Sequence, residues 1–504
     1  MREFIARRIV IIRFVVCALL FPAAVVAQAQ QEYAGRRAEL AARLPDGAFV
    51  ALGGREPPQD YLSFEQTPSF YYLTGFREPD AALLMIKLGG AVRSATMFVR
   101  PKRPSREVWT GTRIGVDGIG TLTGIRGRAA SELPGVLDSL ATAGLSFTVV
   151  GDIGPREVDG DATSGGFRSP DDQLFDQIRK KRTALKLTPV NEIVEQLRGR
   201  KSGAELTQIR NAVDITVRAQ KEAIAAMKSG MNEFEIQALI EYTFRRNGAD
   251  RPSFSTIVGS GPNSTTLHYN QNDRFIESGD LVVMDIGASF KGYAADVTRT
   301  VPANGVFTPQ QRAVYQIVRD AQASAERQAT LGNAARLMTD SSNAVLAAGL
   351  ARLGLIESPG ATYDCSTGAP VRPCAQFRLY YMHGLGHGLG LEVHDHEQFY
   401  DTGRIQPGSA FTIEPGIYVR EHLLDEIPDT PRNREFAAKI RNAVSVYRNI
   451  GVRIEDDYIA TTQGVEWLSQ APREINEIEA LMKQGSTGVA ARDEFRVEKY
   501  RMTP

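Results

Sequence analysis

Four carboxylates and one imidazole stand in this chain where hydrocarbon would be expected. Asp285 lies in the apolar run Leu281-Val282-Val283-Met284-Asp285-Ile286-Gly287, and Asp296 follows a turn in Tyr293-Ala294-Ala295-Asp296-Val297-Thr298. Glu414 lies in Phe411-Thr412-Ile413-Glu414-Pro415-Gly416, and Glu455 in Gly451-Val452-Arg453-Ile454-Glu455-Asp456. His387 lies in a run dense in glycine. Each context reads as buried β-strand or tight turn. A buried lone carboxylate is costly unless it is paired or bound to a metal. A fold of this chain must therefore gather these groups, and two divalent cations are their simplest common partner.

The frame around them is large. A chain of 504 residues suggests two or three domains. With 42% hydrophobic and 23% charged residues it has material for sizeable cores. Formal net charge is zero and no run of like charge follows the first residues, so no electrostatic case exists for nucleic acid or an anionic surface.

Residues 1–29 read as a secretory signal. Arg2, Arg7, Arg8 and Arg13 form a basic start, Phe14 to Val26 is uncharged and apolar, and Ala27-Gln28-Ala29 has the small-x-small pattern of a cleavage site. The uncharged run is short for a bilayer span. An uncleaved N-terminal anchor is the alternative. With cleavage the mature chain begins near Gln30, has no stable membrane span, and is exported to a periplasmic or extracellular compartment. Cys365 and Cys374 then remain, flanking a Gly/Pro-containing loop. In an oxidising compartment they form either a local disulfide or two free thiols. No further ligands complete a zinc site there.

Two regions follow. Residues 30–188 form an α/β domain, with strands expected at Phe49-Val50-Ala51-Leu52, Ala82-Leu83-Leu84-Met85-Ile86, Thr96-Met97-Phe98-Val99 and Phe147-Thr148-Val149-Val150. Residues 155–170 read as a loop, followed by a helix toward Leu185. Residues 189–470 form the second domain. Ser202-Gly203-Ala204-Glu205 is a capping box opening a long helix that ends at Gly230. Asn232 caps a second helix, Thr308-Pro309 opens a third, and a fourth runs from Leu337 to Leu353. The order helix, helix, strands occurs twice, which hints at an internal pseudo-repeat with the site between halves. Residues 471–504 are a polar tail with a short helix carrying Ile475, Ile478 and Leu481.

Of six histidines in the chain, His383, His387, His394 and His396 crowd into one stretch. His383 and His387, four apart, could share a helical face, but the intervening glycines argue against a regular helix. The run lacks the Glu of a His-Glu-x-x-His zinc motif.

Together these segments resemble the pita-bread metallopeptidases, the family of aminopeptidase P, prolidase and methionine aminopeptidase. The resemblance covers roughly Ser202 to Gln463. It includes Ser260 to Tyr269, Met284-Asp285-Ile286-Gly287, Ala295 to Thr300, His383 to Asp395, Thr412 to Tyr418 and Val452 to Asp456. Phe70 to Pro79 and Arg106 to Gly111 resemble the aminopeptidase P N-terminal domain, which methionine aminopeptidases lack. Composition alone reads Phe70, Tyr71, Tyr72 and Trp109 as core aromatics.

The resemblance implies an α/β N-terminal domain plus an α+β pita-bread (creatinase/aminopeptidase-like) catalytic domain. It implies two divalent metal ions, with Mn2+ suited to the oxygen-rich set. Asp296 and Glu455 would bridge them, Asp285 would complete one, and His387 with Glu414 the other. Such a pair lowers the pKa of a bridging water. Glu414 would also handle its proton. His383 and His394 would position the scissile carbonyl. His268 would bind substrate beyond the cleaved bond, and Arg453 would orient a carboxylate. His396 and His422 receive no role. The implied reaction is release of the first residue from proline-containing peptides with proline second. The alternatives are an Xaa-Pro dipeptidase and a peptide-binding protein without turnover. The resemblance also suggests a dimer or tetramer. The Cys365–Cys374 loop and the stretch from Arg420 to Asn449 look like additions able to narrow the entrance.

Overall fold

The computed structural model describes residues 28, 30–59, 61–153, 169–182, 185–367, 370–486 and 495. Most of the expected signal segment, most of the 155–170 loop and most of the tail beyond Ser486 lie outside the described residues. Two compact units divide between Leu197 and Arg198.

The first unit is built on a mixed sheet of six strands. Its spatial order is Arg126–Ala129, Ala91–Val99, Ala82–Leu88, Gly47–Leu52, Phe147–Val150, Leu187–Pro189. Gly47–Leu52 pairs antiparallel with Ala82–Leu88 and parallel with Phe147–Val150. Alternate side chains on one face, Ala48, Val50, Leu52, Leu84 and Val149, pack with Leu137 and Phe175. Phe70 and Tyr72 are buried, whereas Trp109 is 72% exposed. The reading of Trp109 as core is therefore corrected. It lies on the short helix Pro104–Thr110, no residue of which is buried, so this turn has no inward face to receive the indole.

The second unit repeats one plan. In its first half, α1 (Gly203–Ala226) and α2 (Glu233–Arg246) precede a sheet of β1 (Ile257–Ser260), β2 (Leu281–Ile286) and β3 (Val297–Pro302), with β2 central. In its second, α3 (Pro309–Glu326) and α4 (Arg336–Arg352) precede β4 (Ala410–Ile413), β5 (Gly416–Val419), β6 (Ile450–Arg453), β7 (Asp456–Thr461) and β8 (Gly464–Trp467). The order β4-β7-β8 forms one sheet, and β5 pairs with β6. Capping boxes at Ser202, Asn232 and Thr308 start α1, α2 and α3 as the sequence predicts. The first helix stops at Ala226 rather than Gly230, because Met227 already turns to an extended ψ of 128°.

Between β5 and β6 the stretch read only as an addition contains α5 (Pro431–Tyr447), capped by Thr430. Cys365 and Cys374 are disulfide-bonded across the hairpin of Thr362–Asp364 with Pro373–Ala375. Asn433 of α5 holds that hairpin, accepting from Asp364 N at 2.9 Å and donating to Asp364 O at 2.8 Å. The tail forms α6 (Ile475–Gln484), burying Ile475 and Ile478. Among the described residues no helix is long and apolar enough to cross a membrane.

Candidate metal centre

Strand geometry places the carboxylates. Asp285 lies in β2, Asp296 just before β3, Glu414 just after β4, and Glu455 between β6 and β7. Residues two apart along a strand share a face, and for three of the four carboxylates the residue two away serves this site. Thr298, two after Asp296, donates its hydroxyl to Glu455 Oε2 at 2.7 Å. Arg453, two before Glu455, donates to Asp285 Oδ2 at 2.5 Å. Thr412 Oγ1 lies 3.5 Å from Glu414 Oε1. The halves are also stitched through backbone: Glu455 N donates to Thr298 O at 3.2 Å, and Asp296 N to Asp457 Oδ2 at 3.1 Å.

The histidine run is extended, not helical. Leu389 N donates to Ala410 O at 2.8 Å, Thr412 N to His387 O at 2.9 Å, and Glu414 N to Leu385 O at 2.7 Å. The run thus lies along β4 like a further strand, which sets His387 beside Glu414. A Cβ on Gly386 would fall 2.1 Å from Thr412 O, and one on Gly388 2.4 Å from Asp395 O. The glycines permit this approach, and the pairing is what defeats an i, i+4 helical face for His383 and His387.

His387 Nδ1 lies 3.0 Å from Gly388 O. A proton there leaves the Nε2 lone pair facing the acids. Nε2 is 3.5 Å from Asp296 Oδ2, 3.5 Å from Glu414 Oε1 and 3.7 Å from Glu455 Oε1. Asp296, His387 and Glu455 each offer a ligand atom within 4.8 Å of the others.

Asp285 Oδ1, Asp296 Oδ1 and Glu455 Oε1 are buried without a hydrogen-bond partner among the described residues. Such orphaned acceptors are costly unless something positive meets them. Burial raises Asp296 well above the carboxylate range, and the charges of Glu455 and Asp285 add to the rise. Burial and Glu455 likewise raise Glu414, and burial with Asp285 pushes Glu455 up to about 8. Burial also opposes ionisation of Asp285, but the Arg453 guanidinium together with hydrogen bonds from Asp296 and Thr298 holds that carboxyl low. Like charges this close resist joint ionisation, and a bound cation inverts that logic. The donor set of four carboxylates and one neutral imidazole fits divalent cations that prefer oxygen.

Asp285, Asp296, His387, Glu414, Glu455, His383, His394, His268 and Arg453 all line one cavity of about 490 Å³. The three non-ligand histidines differ. His383 Nδ1 lies 2.8 Å from Gly384 O and Nε2 lies 2.8 Å from Tyr418 Oη. Tyr418 Oη in turn accepts from Arg453 Nη1 at 2.9 Å. A hydrogen-bonded line therefore runs from Asp285 through Arg453 and Tyr418 to His383. Burial, followed by the charge of Arg453, lowers the His383 pKa to about 3, while burial and His394 lower His387 to about 4. Both rings are neutral near pH 7. His268 and His394 make no side-chain hydrogen bond among the described residues, and their loops are held instead by neighbours. Glu233 accepts from Ser260 N, Tyr269 Oη and Arg274 N at 2.7, 2.8 and 3.0 Å, pinning the loop of His268. Arg198 pairs with Asp395 at 2.7 Å beside His394.

His396 pairs with Asp401 at 2.8 Å and His422 is exposed, so neither reaches the cavity. Sequence reasoning missed Tyr418, Thr298 and Glu233 as parts of the site. Thr298 was detectable by its alternation with Asp296. Tyr418 and Glu233 act through space and carried no local signal, the latter resembling an ordinary helix-cap residue.

Comparison with known proteins gives this constellation a context. Residues 207–462 match metallopeptidase family M24, and residues 33–147 match the aminopeptidase P N-terminal domain. The Xaa-Pro aminopeptidase of Escherichia coli (strain K12) is 32% identical, over 90% of this chain and 98% of that protein. A Homo sapiens Xaa-Pro dipeptidase is 30% identical, over 86% of this chain and 89% of its own. The solved structure of aminopeptidase P from Escherichia coli with the inhibitor Pro-Leu superposes with a TM-score of 0.72 at 30% identity, covering 90% of this chain and 98% of that one.

Proposed function

The chain belongs to metallopeptidase family M24 and has the pita-bread fold, and from that premise we propose how its cavity works. It is a metal-dependent exopeptidase that releases the N-terminal residue from peptides with proline in second place. The observation that carries the reading of the site is the convergence of nine side chains on one cavity, three of them bearing orphaned carboxylate oxygens.

Asp285, Asp296, His387, Glu414 and Glu455 would hold two divalent ions. Manganese is the best match to this oxygen-rich set. Bound there, the ions supply Lewis-acid polarisation and a lowered water pKa. The protein's own groups do the rest. Glu414, with Oε2 3.6 Å from His383 Nδ1, takes a proton from the attacking water. The water oxygen bonds to the carbonyl carbon of the first residue. The C–N bond to proline breaks, and the proton on Glu414 passes to the proline nitrogen. His394 and His268, neither hydrogen-bonded through its ring among the described residues, are placed to donate to the substrate carbonyl and to the peptide beyond it. His383, its ring held by Gly384 O and Tyr418 Oη, presents a fixed wall of the cavity 3.6 Å from Glu414. Arg453 holds Asp285 ionised and directed.

Three further features belong to the proposal. The basic, apolar and small-residue order of residues 1–29 supports export to a periplasmic or extracellular space. The Cys365–Cys374 bridge suits such an oxidising compartment. A dimer or tetramer is the expected assembly, and light scattering tests it.

The deciding experiment is mass-spectrometric product analysis of the manganese-loaded protein. It uses an Xaa-Pro dipeptide and an Xaa-Pro-Yaa-Zaa peptide, with Glu414→Ala as control. Release of the first residue from the longer peptide, lost in the control, is expected. Cleavage of the dipeptide alone would make the chain a dipeptidase. Cleavage of neither, with metal bound, would sink the peptidase reading.

A further inference from the structure

Two buried glutamines occupy matching places in the halves of the catalytic unit. Gln220 lies on α1 and Gln322 on α3, the first helix of each half, and both are fully buried. Gln220 Nε2 donates to Met284 O at 2.9 Å and to Val297 O at 2.8 Å. Met284 precedes Asp285 and Val297 follows Asp296. Gln322 Nε2 donates to Asp456 Oδ2 at 2.8 Å and lies 3.3 Å from Ile413 O and 3.4 Å from Ile454 O. Ile413 precedes Glu414, and Ile454 and Asp456 flank Glu455. Each amide thus spans two strands of its own half at the level of two candidate ligands.

The chemistry suits that place. A primary amide carries two N–H donors in one plane and no charge. A lysine or arginine there would add a positive charge behind the ligands, and an apolar side chain would remove the donor that these buried carbonyls receive from the helix. Gln220 Oε1 meets no donor among the described residues. That unmet acceptor is a cost which a leucine of similar size would not carry, so packing alone does not explain the glutamine.

We propose that Gln220 and Gln322 are positioning residues for the metal ligands, one in each half. Gln220 sets the spacing of Asp285 and Asp296, and Gln322 that of Glu414 and Glu455. The inference rests on the metal-centre reading above. Residues that orient ligands from behind contribute about 10–100-fold to metal affinity.

The test is calorimetric titration of Mn2+ into the full chain after chelator treatment, with thermal unfolding of the metal-free protein recorded alongside. The proteins are wild type, Gln220→Met, Gln322→Met and Thr216→Val. Thr216 is also fully buried on α1, and its hydroxyl accepts from Ala288 N at 2.9 Å, a contact that touches no candidate ligand. Each glutamine variant is expected to bind at least one ion about 10–100-fold more weakly. Thr216→Val is expected to lose thermal stability but keep wild-type affinity. Wild-type affinity in both glutamine variants would overturn the proposal, as would an equal loss in Thr216→Val. Should a methionine variant fail to fold, Gln220→Asn and Gln322→Asn, which withdraw the same amide by one methylene, are judged by the same rules. A wild-type protein that takes up no manganese would overturn the reading of the site, and this inference with it, before any variant is compared.

Discussion

His383 differs from the other two non-ligand histidines of the cavity in having both ring nitrogens engaged. Its Nε2 receives Tyr418 Oη, which is itself fixed by Arg453. Removing that hydroxyl should free the ring without disturbing any candidate ligand directly. Tyr418→Phe is therefore expected to lower kcat about tenfold, the order of one charge-linked hydrogen bond, while leaving manganese stoichiometry unchanged. Steady-state kinetics with metal analysis checks this, and loss of metal would show that Tyr418 supports the ligands instead. At this scale the identities of the site were legible in the sequence. Asp285, Asp296, Glu414 and Glu455 stood out because an acid in an apolar strand conflicts with its surroundings. Tyr418 and Glu233 did not stand out, because an aromatic in a strand and an acid at a helix start agree with theirs.

Among the elements, the loop after the histidine run depends on one buried ion pair. Arg198 and Asp395 are both almost fully buried, and Asp395 also accepts from Leu391 N and His396 N at 2.9 and 2.8 Å. Arg198→Ala leaves a buried carboxylate without its cation and should cost about 3–5 kcal/mol. Denaturant unfolding measures that cost, and a change near zero would mean the pair is solvated. Because Asp395 is next to His394, KM is expected to rise in the same variant. The disulfide is a second brace. Closing a loop with a sequence separation of 9 residues corresponds to about 2–3 kcal/mol in the chain-entropy picture. The Cys365→Ser, Cys374→Ser double variant should melt lower yet retain activity, since Asn433 still holds the hairpin. An inactive but folded double variant would show that the bridge itself shapes the active site. Helix starts were readable here because caps are local. Helix α5 went unread because charges and prolines in residues 420–449 masked its periodicity.

For the whole molecule, the metal centre and the pH dependence of stability are one problem. Folding raises the pKa of Glu455 to about 8, with burial as the first cause, and raises Asp296 and Glu414 in the same direction. A raised folded-state pKa contributes stability that is complete below the unfolded value and is lost as pH rises through the folded one. The metal-free protein should therefore lose stability most clearly between about pH 6.5 and pH 8, because below 6.5 the lowered pKa values of His383 and His387 add stability with rising pH and offset part of the loss. Manganese should reverse the trend, because the cations favour the ionised acids. Thermal melts across that range, with chelator and with metal, test both halves. A metal-free melting point that climbs from pH 6.5 to pH 8 would contradict the burial of these acids.

What the sequence determined by itself is the chemistry and the local elements. The acids and histidines, the capping boxes at Ser202, Asn232 and Thr308, and the strands around Asp285 and Glu455 follow from residue type and short-range periodicity. Only the tertiary structure decided which oxygens meet. Asp296 reaches Asp457, Arg453 reaches Asp285, and Gln220 and Gln322 brace the ligand strands from behind, across separations that no local pattern encodes. The physical reason is that periodicity tells a residue which face it occupies. The partner across that face is set by how helices pack on strands within each half and by how the two halves pack on each other, and those hydrogen bonds exist only once the chain has closed.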